Sequence, residues 1–287
     1  MSGEERIMSE IAHTSYGKTG IPVMKVVRKE PRHEVWEFVV DVTAESPELE
    51  RAYTKADNSP VVATDTMKNL VNYLSFVYDF TSLEDLALHI GQSLQERYYH
   101  LPRWTVHIEG ANWKHLAPGS DESPISFART GPEANFTTAI VDGEESSLRS
   151  GIRDLLVLKT TDSAFSGFVR DEFTTLPEAS DRMLATSITA EWKLPSSGIE
   201  HTEINHTVRE TILRVFSELK SESVQHLAYE TATAVLDSIE EVEEISLRLP
   251  NKHYFLIDLS PFGVENSDTL YLPTIAPHGD IQLKLTR

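Results

Sequence analysis

Residues 65–108, DTMKNLVNYLSFVYDFTSLEDLALHIGQSLQERYYHLPRWTVHI, change from a helical to an alternating hydrophobic period. Apolar side chains first recur at helical spacing, at Met67, Leu70, Val71, Leu74 and Val77. After a break, Ser82 can cap a second helix, which carries Leu83, Leu86, Ile90 and Leu94. The period then becomes two at Trp104, Val106 and Ile108. The stretch therefore predicts two helices followed by a strand.

The flanking segments extend this pattern into a repeated order of elements. Before the helices, β-branched residues at 21–29 and an alternation at 36–42 predict a hairpin, and a looser strand follows at 125–141. The second half contains strand patterns at 148–159 and 184–192 and helix patterns at 204–219 and 224–235. It closes with a strand at 245–249, a turn at Pro250-Asn251 and a strand at 253–259. Each half therefore predicts the order β-β-α-α-β-β.

These halves predict an α+β protein of two tandem modules, residues 16–143 and 144–287, after a polar N-terminal segment at 1–15. The boundary falls in the polar turn at 142–145. We expect each module to have an antiparallel sheet covered on one face by its two helices. Pro22 suits an edge strand or the start of a strand better than a central position. Because uncovered sheet edges favour pairing between subunits, we also expect a homo-oligomer.

The charge of the chain narrows the classes of partner. It has 26 basic and 45 acidic side chains, a formal net charge of −19. That field repels phosphate backbones and anionic lipids, so we expect neither a nucleic-acid partner nor a membrane partner. Cysteine is absent, and no apolar run approaches the ~18 residues of a membrane span or forms a signal peptide. With no C-terminal Ser-Lys-Leu address either, the expected location is cytoplasmic.

Motifs for metals and phosphate-bearing cofactors are missing from the sequence. The 11 histidines include no H-E-x-x-H pattern, and the spacing of His201 and His206 does not place both on one helical face. Neither a glycine-rich phosphate loop nor a G-x-S-x-G nucleophile elbow is present. The expectation is a protein without a metal site.

Six short segments place reactive side chains at turns or helix starts, where a rigid scaffold can present them. They are Tyr16–Lys18, Val61–Asn69, Ser163–Asp171, Asp181-Arg182, Ser223–His226 and Leu249–His253. Each segment also has an ordinary structural interpretation. In the same order, these are a surface lysine, a helix cap, an aromatic cluster under a loop, a surface ion pair, a solvated glutamine and a turn. The functional interpretations are an anion site at a helix start, a stacking platform for a flat ligand and an arginine fork around a planar anion.

Together these segments resemble the urate oxidase (uricase) family. The resemblance runs from about Tyr16 to Phe262. It is carried by YGK (16–18), VVATDTMKN (61–69), TTDSAFSGFVRDEFTTL (160–176), DRMLAT (181–186), VQ (224–225) and LPNKHYFLIDLSPFG (249–263). Each motif is weak alone, but six in the right order are specific. The family's tunnelling fold, built of two β-β-α-α-β-β modules, agrees with the element order read from hydrophobic periodicity.

The resemblance implies roles for nine residues. Lys18 and Thr64 match the family's catalytic dyad, and His253 matches a further member of its proton relay. The substrate-binding positions are Phe165, which stacks on urate, Arg182 and Gln225, which grip opposite edges of the purine, the backbone N–H groups of Asp65 and Val224, and Asn251 beside the dioxygen or water site. In this family the lysine and threonine come from one subunit. The set that holds the purine, here Phe165, Arg182 and Gln225 and called the clamp below, comes from its neighbour. A barrel-like homotetramer therefore forms the sites.

The implied activity is oxidation of urate by O2 and water to 5-hydroxyisourate and hydrogen peroxide, in purine degradation. The resemblance implies no metal or organic cofactor, with O2 as co-substrate. A desolvated Lys18 would accept a second proton of urate through the Thr64 hydroxyl, because burial disfavours the ammonium form. Pro60 and His226 depart from the family pattern and could alter affinity or pH dependence.

Two other functions stay open from the sequence. One is a catalytically silent purine-binding protein on the same oligomer, which would need only the clamp. The presence of Lys18, Thr64 and His253 argues against it. The other is a tunnelling-fold enzyme that acts on a pterin or another purine. The Cys/His ligand sets of the zinc-dependent members are missing here.

Overall fold

Strands and helices alternate in blocks along the described residues, 10–117 and 121–287, of this computed structural model. The strands are Ser15–Arg28 (β1), His33–Glu45 (β2), Arg103–His115 (β3), Phe127–Asp142 (β4), Glu145–Lys159 (β5), Leu184–Leu194 (β6), Glu244–Lys252 (β7), Tyr254–Leu256 (β8), Tyr271–Pro273 (β9) and Gly279–Thr286 (β10). The helices are Glu50–Thr54 (α1), Thr64–Val77 (α2), Leu83–Arg97 (α3), His201–Glu218 (α4) and Val224–Ser238 (α5). Residues 1–9 of the predicted N-terminal segment lie outside the described part. The α+β class is confirmed.

One large sheet runs through both halves of the chain. Its strand order is β1-β2-β3-β4-β5-β6-β7-β10, and all neighbouring strands are antiparallel. The sequence predicts a sheet for each half, whereas the structure joins the two edge to edge. The cause is a hairpin: β4 and β5 pair from Asp142 and Glu145 onward across a tight turn, where Gly143 has φ of +60°. Pro22 lies in the edge strand β1, as predicted.

The predicted end of the second half is wrong in one respect. Pro250 and Asn251 do not form a turn but lie within β7, opposite Asp280 and Gly279 of β10. The pairing of β6 with β7 is interrupted beside Pro250, which has no N–H to donate. The chain after residue 253 leaves the large sheet, and β8 pairs with β9 in a small separate sheet. The closing strand is therefore β10, not 253–259.

The helices pack in the same way in each half. Helix α2 contacts β1 and α3 contacts β3 and β4, whereas α4 contacts β5 and α5 contacts β7 and β10. The fully buried side chains include Met67 and Ile90 from the first helix pair and Ile212 and Val235 from the second. Apolar side chains at helical spacing thus cover one strip of alternating apolar strand residues in each half.

Detailed contacts show that the second half repeats the first. Lys25 of β1 donates its Nζ to the backbone oxygen of Tyr78, the residue that ends α2, at 2.7 Å. Lys159 of β5 donates its Nζ to the backbone oxygen of Leu219, the residue that ends α4, at 2.7 Å. Each ammonium also lies over a phenylalanine ring, at 4.6 and 5.5 Å from the centroid. Lys25 and Lys159 therefore occupy equivalent positions.

Two further features match between the halves. Ser82 and Ser223 are the N-caps of α3 and α5, and each hydroxyl oxygen accepts the N–H three residues on, at 3.1 and 3.0 Å. The first strand of each half has an irregular register, between Lys18 and Ile21 in β1 and between Ile152 and Leu155 in β5. These shared caps and bulges allow positions in one half to be assigned to positions in the other.

Candidate active site

The loop between β5 and β6 holds two of the predicted substrate-binding residues together. The backbone N–H of Ala164 donates to the oxygen of Ser221 at 2.8 Å, which ties the loop to the segment before α5. Phe165 and Ala179 exchange two backbone hydrogen bonds, at 2.8 and 2.9 Å. These bonds fix the phenylalanine beside Arg182, whose Cζ lies 5.4 Å from the ring centroid. The rings of Phe165 and Phe168 are stacked, with centroids 4.8 Å apart.

Arg182 is half-buried, and no ion pair of its guanidinium is found among residues 10–117 and 121–287. Burial lowers the pKa of its guanidinium. Its Nε is buried and has no hydrogen-bond partner in the described part of the chain. A desolvated cation without a partner is unfavourable, so this position is suited to an anionic ligand that supplies the missing acceptors.

Asn251 lies at the end of the large sheet that is nearest this loop. In β7 it stands between two strands, opposite Thr186 of β6 and Gly279 of β10. Its backbone position is therefore fixed on both sides. The placement in a strand, rather than in the predicted turn, makes it a rigidly held residue.

His253 follows the same strand and stands among positive groups. Burial is the main cause that lowers its pKa below 6.5, and the charges of Arg182 and His278 lower it further. His253 is thus held neutral at neutral pH, the form that can accept a proton. His278, whose buried Nδ1 has no partner among the described residues, is a site neighbour that the sequence analysis missed. The sequence feature that could have indicated His278 is the alternation of Ile281, Leu283 and Leu285, which predicts a strand just after it.

The start of α5 completes this group. Ser223 caps the helix, so the N–H of Val224, in the first helical turn, is free of the intrahelical ladder. The Val224 side chain is buried, whereas the amide of Gln225 is exposed. His226 turns along the helix, and its Nε2 lies 3.6 Å from Glu230. The structure therefore gathers the predicted Phe, Arg, Gln, Val, Asn and His positions at one end of the second half.

The remaining predicted residues form a second group in the first half. Lys18 lies in β1 and is half-buried, and Thr64 is the first residue of α2. The N–H of Val62 donates to the hydroxyl oxygen of Tyr16 at 2.8 Å, which holds the segment before α2 against β1. Strand and helix start are thereby fixed to each other.

Asp65 shows that the two parts of this group are close. A hydrogen bond from Lys68 is the main cause that lowers the pKa of Asp65, and the positive charge of Lys18 also contributes. The Asp65 side chain is exposed. Its backbone N–H belongs to the first turn of α2, where such groups lack intrahelical partners.

The two groups lie far apart within one chain. The sheet register leads from Lys18 through Val42, Val106, Ala139 and Leu148 to Leu194, at the far end of β6. Arg182 precedes the opposite end of β6. At the usual rise per residue of a strand, residues 182–194 span on the order of 40 Å. One chain therefore cannot bring Lys18 to the Arg182 clamp.

The described residues contain neither a cluster suited to a metal ion nor a membrane-spanning helix. Groups of three or more His, Asp or Glu side chains with metal-holding geometry are not found among them. Within the same residues, no helix is long and apolar enough to cross a membrane.

Comparisons with known proteins agree on one family. The family model described as Uricase matches residues 14–140 and 148–282. The uricase of Danio rerio is 34% identical over 278 residues, which cover 95% of this chain and 93% of the relative. The uricase of Aspergillus flavus is 35% identical over 296 residues and 98% of each chain.

Solved structures extend the similarity to the fold. The crystal structure of the uricase from Arthrobacter globiformis superposes with a TM-score of 0.92 at 32% identity, covering 98% of this chain and 96% of that chain. The urate oxidase of Bacillus sp. TB-90, at 24% identity, shares the fold with a TM-score of 0.81. Family model, relatives and fold all span nearly the whole sequence, and the chain belongs to the uricase family.

Proposed function

We propose that this protein is a urate oxidase, which converts urate, O2 and water to 5-hydroxyisourate and hydrogen peroxide without a metal or organic cofactor. The observation that carries the proposal is the half-buried Arg182 guanidinium, which lies against the Phe165 ring and whose Nε has no hydrogen-bond partner in the part of the chain that the structure describes. In a chain of net charge −19, this is a local site for a flat anion. Urate is a flat anion at neutral pH.

The clamp sets the position of the substrate. Arg182 offers two parallel N–H donors to one edge of the urate anion. The Phe165 ring fixes the plane of the ligand by stacking, and the amide of Gln225 fixes its rotation with one donor and one acceptor. The free N–H of Val224 adds a further donor at the start of α5.

The groups from the first half remove the proton. Lys18 accepts a proton from urate through the Thr64 hydroxyl, which leaves a more electron-rich substrate that O2 can oxidise. The backbone N–H of Asp65 holds the ligand beside these groups. His253 belongs to the same relay: burial and the neighbouring positive charges lower its pKa, which leaves the imidazole neutral with a nitrogen free to accept a proton. Asn251 stands beside the position of O2 or water. In the overall step urate loses two electrons, O2 becomes hydrogen peroxide, and water supplies the new hydroxyl group.

A second copy of the chain must complete each site. The separation of Lys18 from Arg182 within one chain supports a site formed where the first module of one subunit meets the second module of its neighbour. We take the module boundary at Gly143, in the hairpin between β4 and β5. A barrel-like homotetramer provides such junctions.

The test is a combined assay of purified protein treated with a metal chelator. Loss of urate ultraviolet absorbance, oxygen uptake and peroxide release are recorded together. The expected result is chelator-insensitive turnover with one O2 consumed per urate. Lys18→Met should lower turnover by roughly 10²-fold or more and leave urate binding nearly unchanged. The matched control is Lys114→Met, which removes an exposed lysine of β3 and should leave turnover unchanged.

The alternatives give different results in the same assay. Tight urate binding without oxygen uptake would indicate a catalytically silent purine-binding protein. Turnover that the chelator abolishes would contradict cofactor-free chemistry. Conversion of a pterin in place of urate would assign the chain to another activity of the same fold.

A further inference from the structure

A cavity of about 470 Å³ lies outside the proposed urate site, where α3 and α4 begin. Its lining includes Glu34, Glu84, Asn112, Ile152, Asn205 and His206. A volume of this size falls in the range of small-molecule sites, about 300–1,000 Å³. The repeat of the two halves reveals what this cavity corresponds to.

The position of Arg182 has an equivalent in the cavity. The equivalent lysines of β1 and β5 pair with Trp36 and Leu184. Two residues before these partners stand Glu34 in the first half and Arg182 in the second. A glutamate of the cavity therefore occupies the position of the clamp arginine.

The position of Gln225 is also matched. The N-caps Ser82 and Ser223 are equivalent, and two residues after them stand Glu84 and Gln225. Glu84 lines the cavity and is only 4% exposed. A second carboxylate thus replaces the neutral amide of the clamp.

Residues of β3 and β7 follow the same correspondence. Gly110 pairs with β2 as Asn251 pairs with β6, at equivalent levels of the two half-sheets. Two residues further on stand Asn112 and His253. Both Gly110 and Asn112 line the cavity.

The catalytic residues of the proposed urate site also have equivalents in the cavity, and these equivalents come from the second half of the chain. Lys18 and Ile152 are the last paired residues before the equivalent bulges of β1 and β5. Counting back from the equivalent ends of α2 and α4, Thr64 corresponds to Asn205. Ile152 and Asn205 both line the cavity, which is thus the within-chain counterpart of the proposed urate site.

From this correspondence, which rests on the proposed function, we infer that the cavity is a second, non-catalytic ligand site for a planar cation with amidine or guanidine N–H donors. The charge at the position of Arg182 is reversed, because Glu34 stands there, and the position of the neutral Gln225 gains a negative charge from Glu84. Catalysis is absent because Ile152, in the place of Lys18, cannot accept a proton.

The bonding of Glu84 supports a cationic ligand, whereas Glu34 at the rim lies 3.7 Å from the exposed ammonium of Lys29. Oε1 of Glu84 accepts hydrogen bonds from Ser150 and Asn205, both at 2.7 Å, while in the described part of the chain its second oxygen accepts none. A third carboxylate, Glu37, also lines the cavity. The arginine of the lining, Arg209, is already paired with Glu133, its Nε lying 2.6 Å from a carboxylate oxygen.

The shape of the lining favours a flat ligand. Trp36 and Trp113 contribute aromatic surface to the wall. The indole Nε1 of Trp113 donates to Glu37 at 2.8 Å, which holds that ring in place. Aromatic surface beside carboxylates is suited to a planar cation, because the ring faces and the acceptors both attract it.

The experiment uses benzamidine, a planar amidinium, and benzoate, its anionic counterpart of the same shape. Isothermal titration calorimetry of the full-length protein should show one benzamidine bound per chain, and saturating urate, added in oxygen-free buffer so that it is not consumed, should not displace it. Glu84→Gln, which keeps the acceptor for Ser150 and Asn205, should weaken benzamidine about tenfold. Glu34→Gln at the rim provides a second test should the buried variant fail to fold. Glu218→Gln, an exposed carboxylate elsewhere on α4, is the matched control.

The outcomes separate this inference from the proposed activity. Urate turnover of both cavity variants should equal that of the wild type, and its absence in the wild type would count against the urate oxidase proposal alone. No benzamidine binding, equal binding by Glu84→Gln and wild type, or displacement by urate would overturn the cavity site. Binding of benzoate in the cavity, located by crystallography, would contradict the reversed charge.

Discussion

Two inactive variants should restore activity when they share an oligomer. Lys18→Met damages the half of the site on β1, and Arg182→Gln damages the half before β6. The register of the large sheet separates these residues by on the order of 40 Å within a chain. In the proposed oligomer, each complete site therefore takes its lysine and its arginine from different chains.

The expected recovery follows from counting sites. In an equal mixture of the two variants, half of the randomly formed chain pairs are mixed. A mixed pair has two junctions: one combines both damaged halves, and the other combines both intact halves. About a quarter of all sites are then of wild-type composition, so turnover per total protein should reach about a quarter of wild type. The two variants are co-expressed with different tags, and mixed oligomers are quantified before the urate assay.

The matched control is co-expression of Lys18→Met with Thr64→Ala. Both changes lie in the same half of the site, so every junction in the mixture carries a damaged first half. This mixture should stay as inactive as its components. Recovery in the control, or no recovery with Arg182→Gln despite mixed oligomers, would refute a site shared between chains.

Four further predictions concern single positions. In Gly17→Ala, the added Cβ would lie 1.8 Å from the backbone oxygen of Val42, so we expect a loss of about 1–3 kcal/mol in the free energy of unfolding, measured by urea titration, together with lower turnover. Ser223→Ala removes the cap of α5 and should cost about 1 kcal/mol of stability and raise the KM for urate, because the first turn then loses its fixed geometry. His278→Asn should raise the pKa of His253 towards 6.5, as NMR titration can measure. Since the folded pKa of His253 lies below 6.5, the unfolded chain binds its proton first, and the contribution of this residue to stability is lost as pH falls below 6.5. His253→Asn should flatten that dependence.

Alternating strands and helical spacing predicted most elements of the fold, because one buried face leaves a clear period in the sequence. The last strand was missed for a physical reason. Pro250 and Asn251 are typical turn residues, yet here Pro250 lies where the pairing of β6 and β7 is interrupted, so its missing N–H breaks no bond. Local propensity therefore pointed to a turn, and tertiary pairing with Gly279 and Asp280 decided for a strand.

The candidate site was predictable only in part. The resemblance named Arg182 and Phe165, and the structure brings them to contact distance. The unpartnered state of Arg182 and the proximity of His278 could not be predicted, since both depend on how separate segments meet. The distance of Lys18 from this clamp likewise follows from strand order, which no local pattern specifies.

The repeat gives a physical reason why the cavity within the chain and the proposed urate site between chains carry different charges. A duplicated chain joins its first half to its second half once inside the chain and, in the proposed oligomer, once between chains. At the inner junction a buried carboxylate is tolerated, because Glu84 is held by donors from Ser150 and Asn205 of the second half. The same carboxylate in the place of Gln225 would repel urate and leave Arg182 neutralised. A charge that stabilises the junction within the chain would therefore abolish binding at the junction between chains, so Glu84 and Gln225 cannot be exchanged without loss of the clamp.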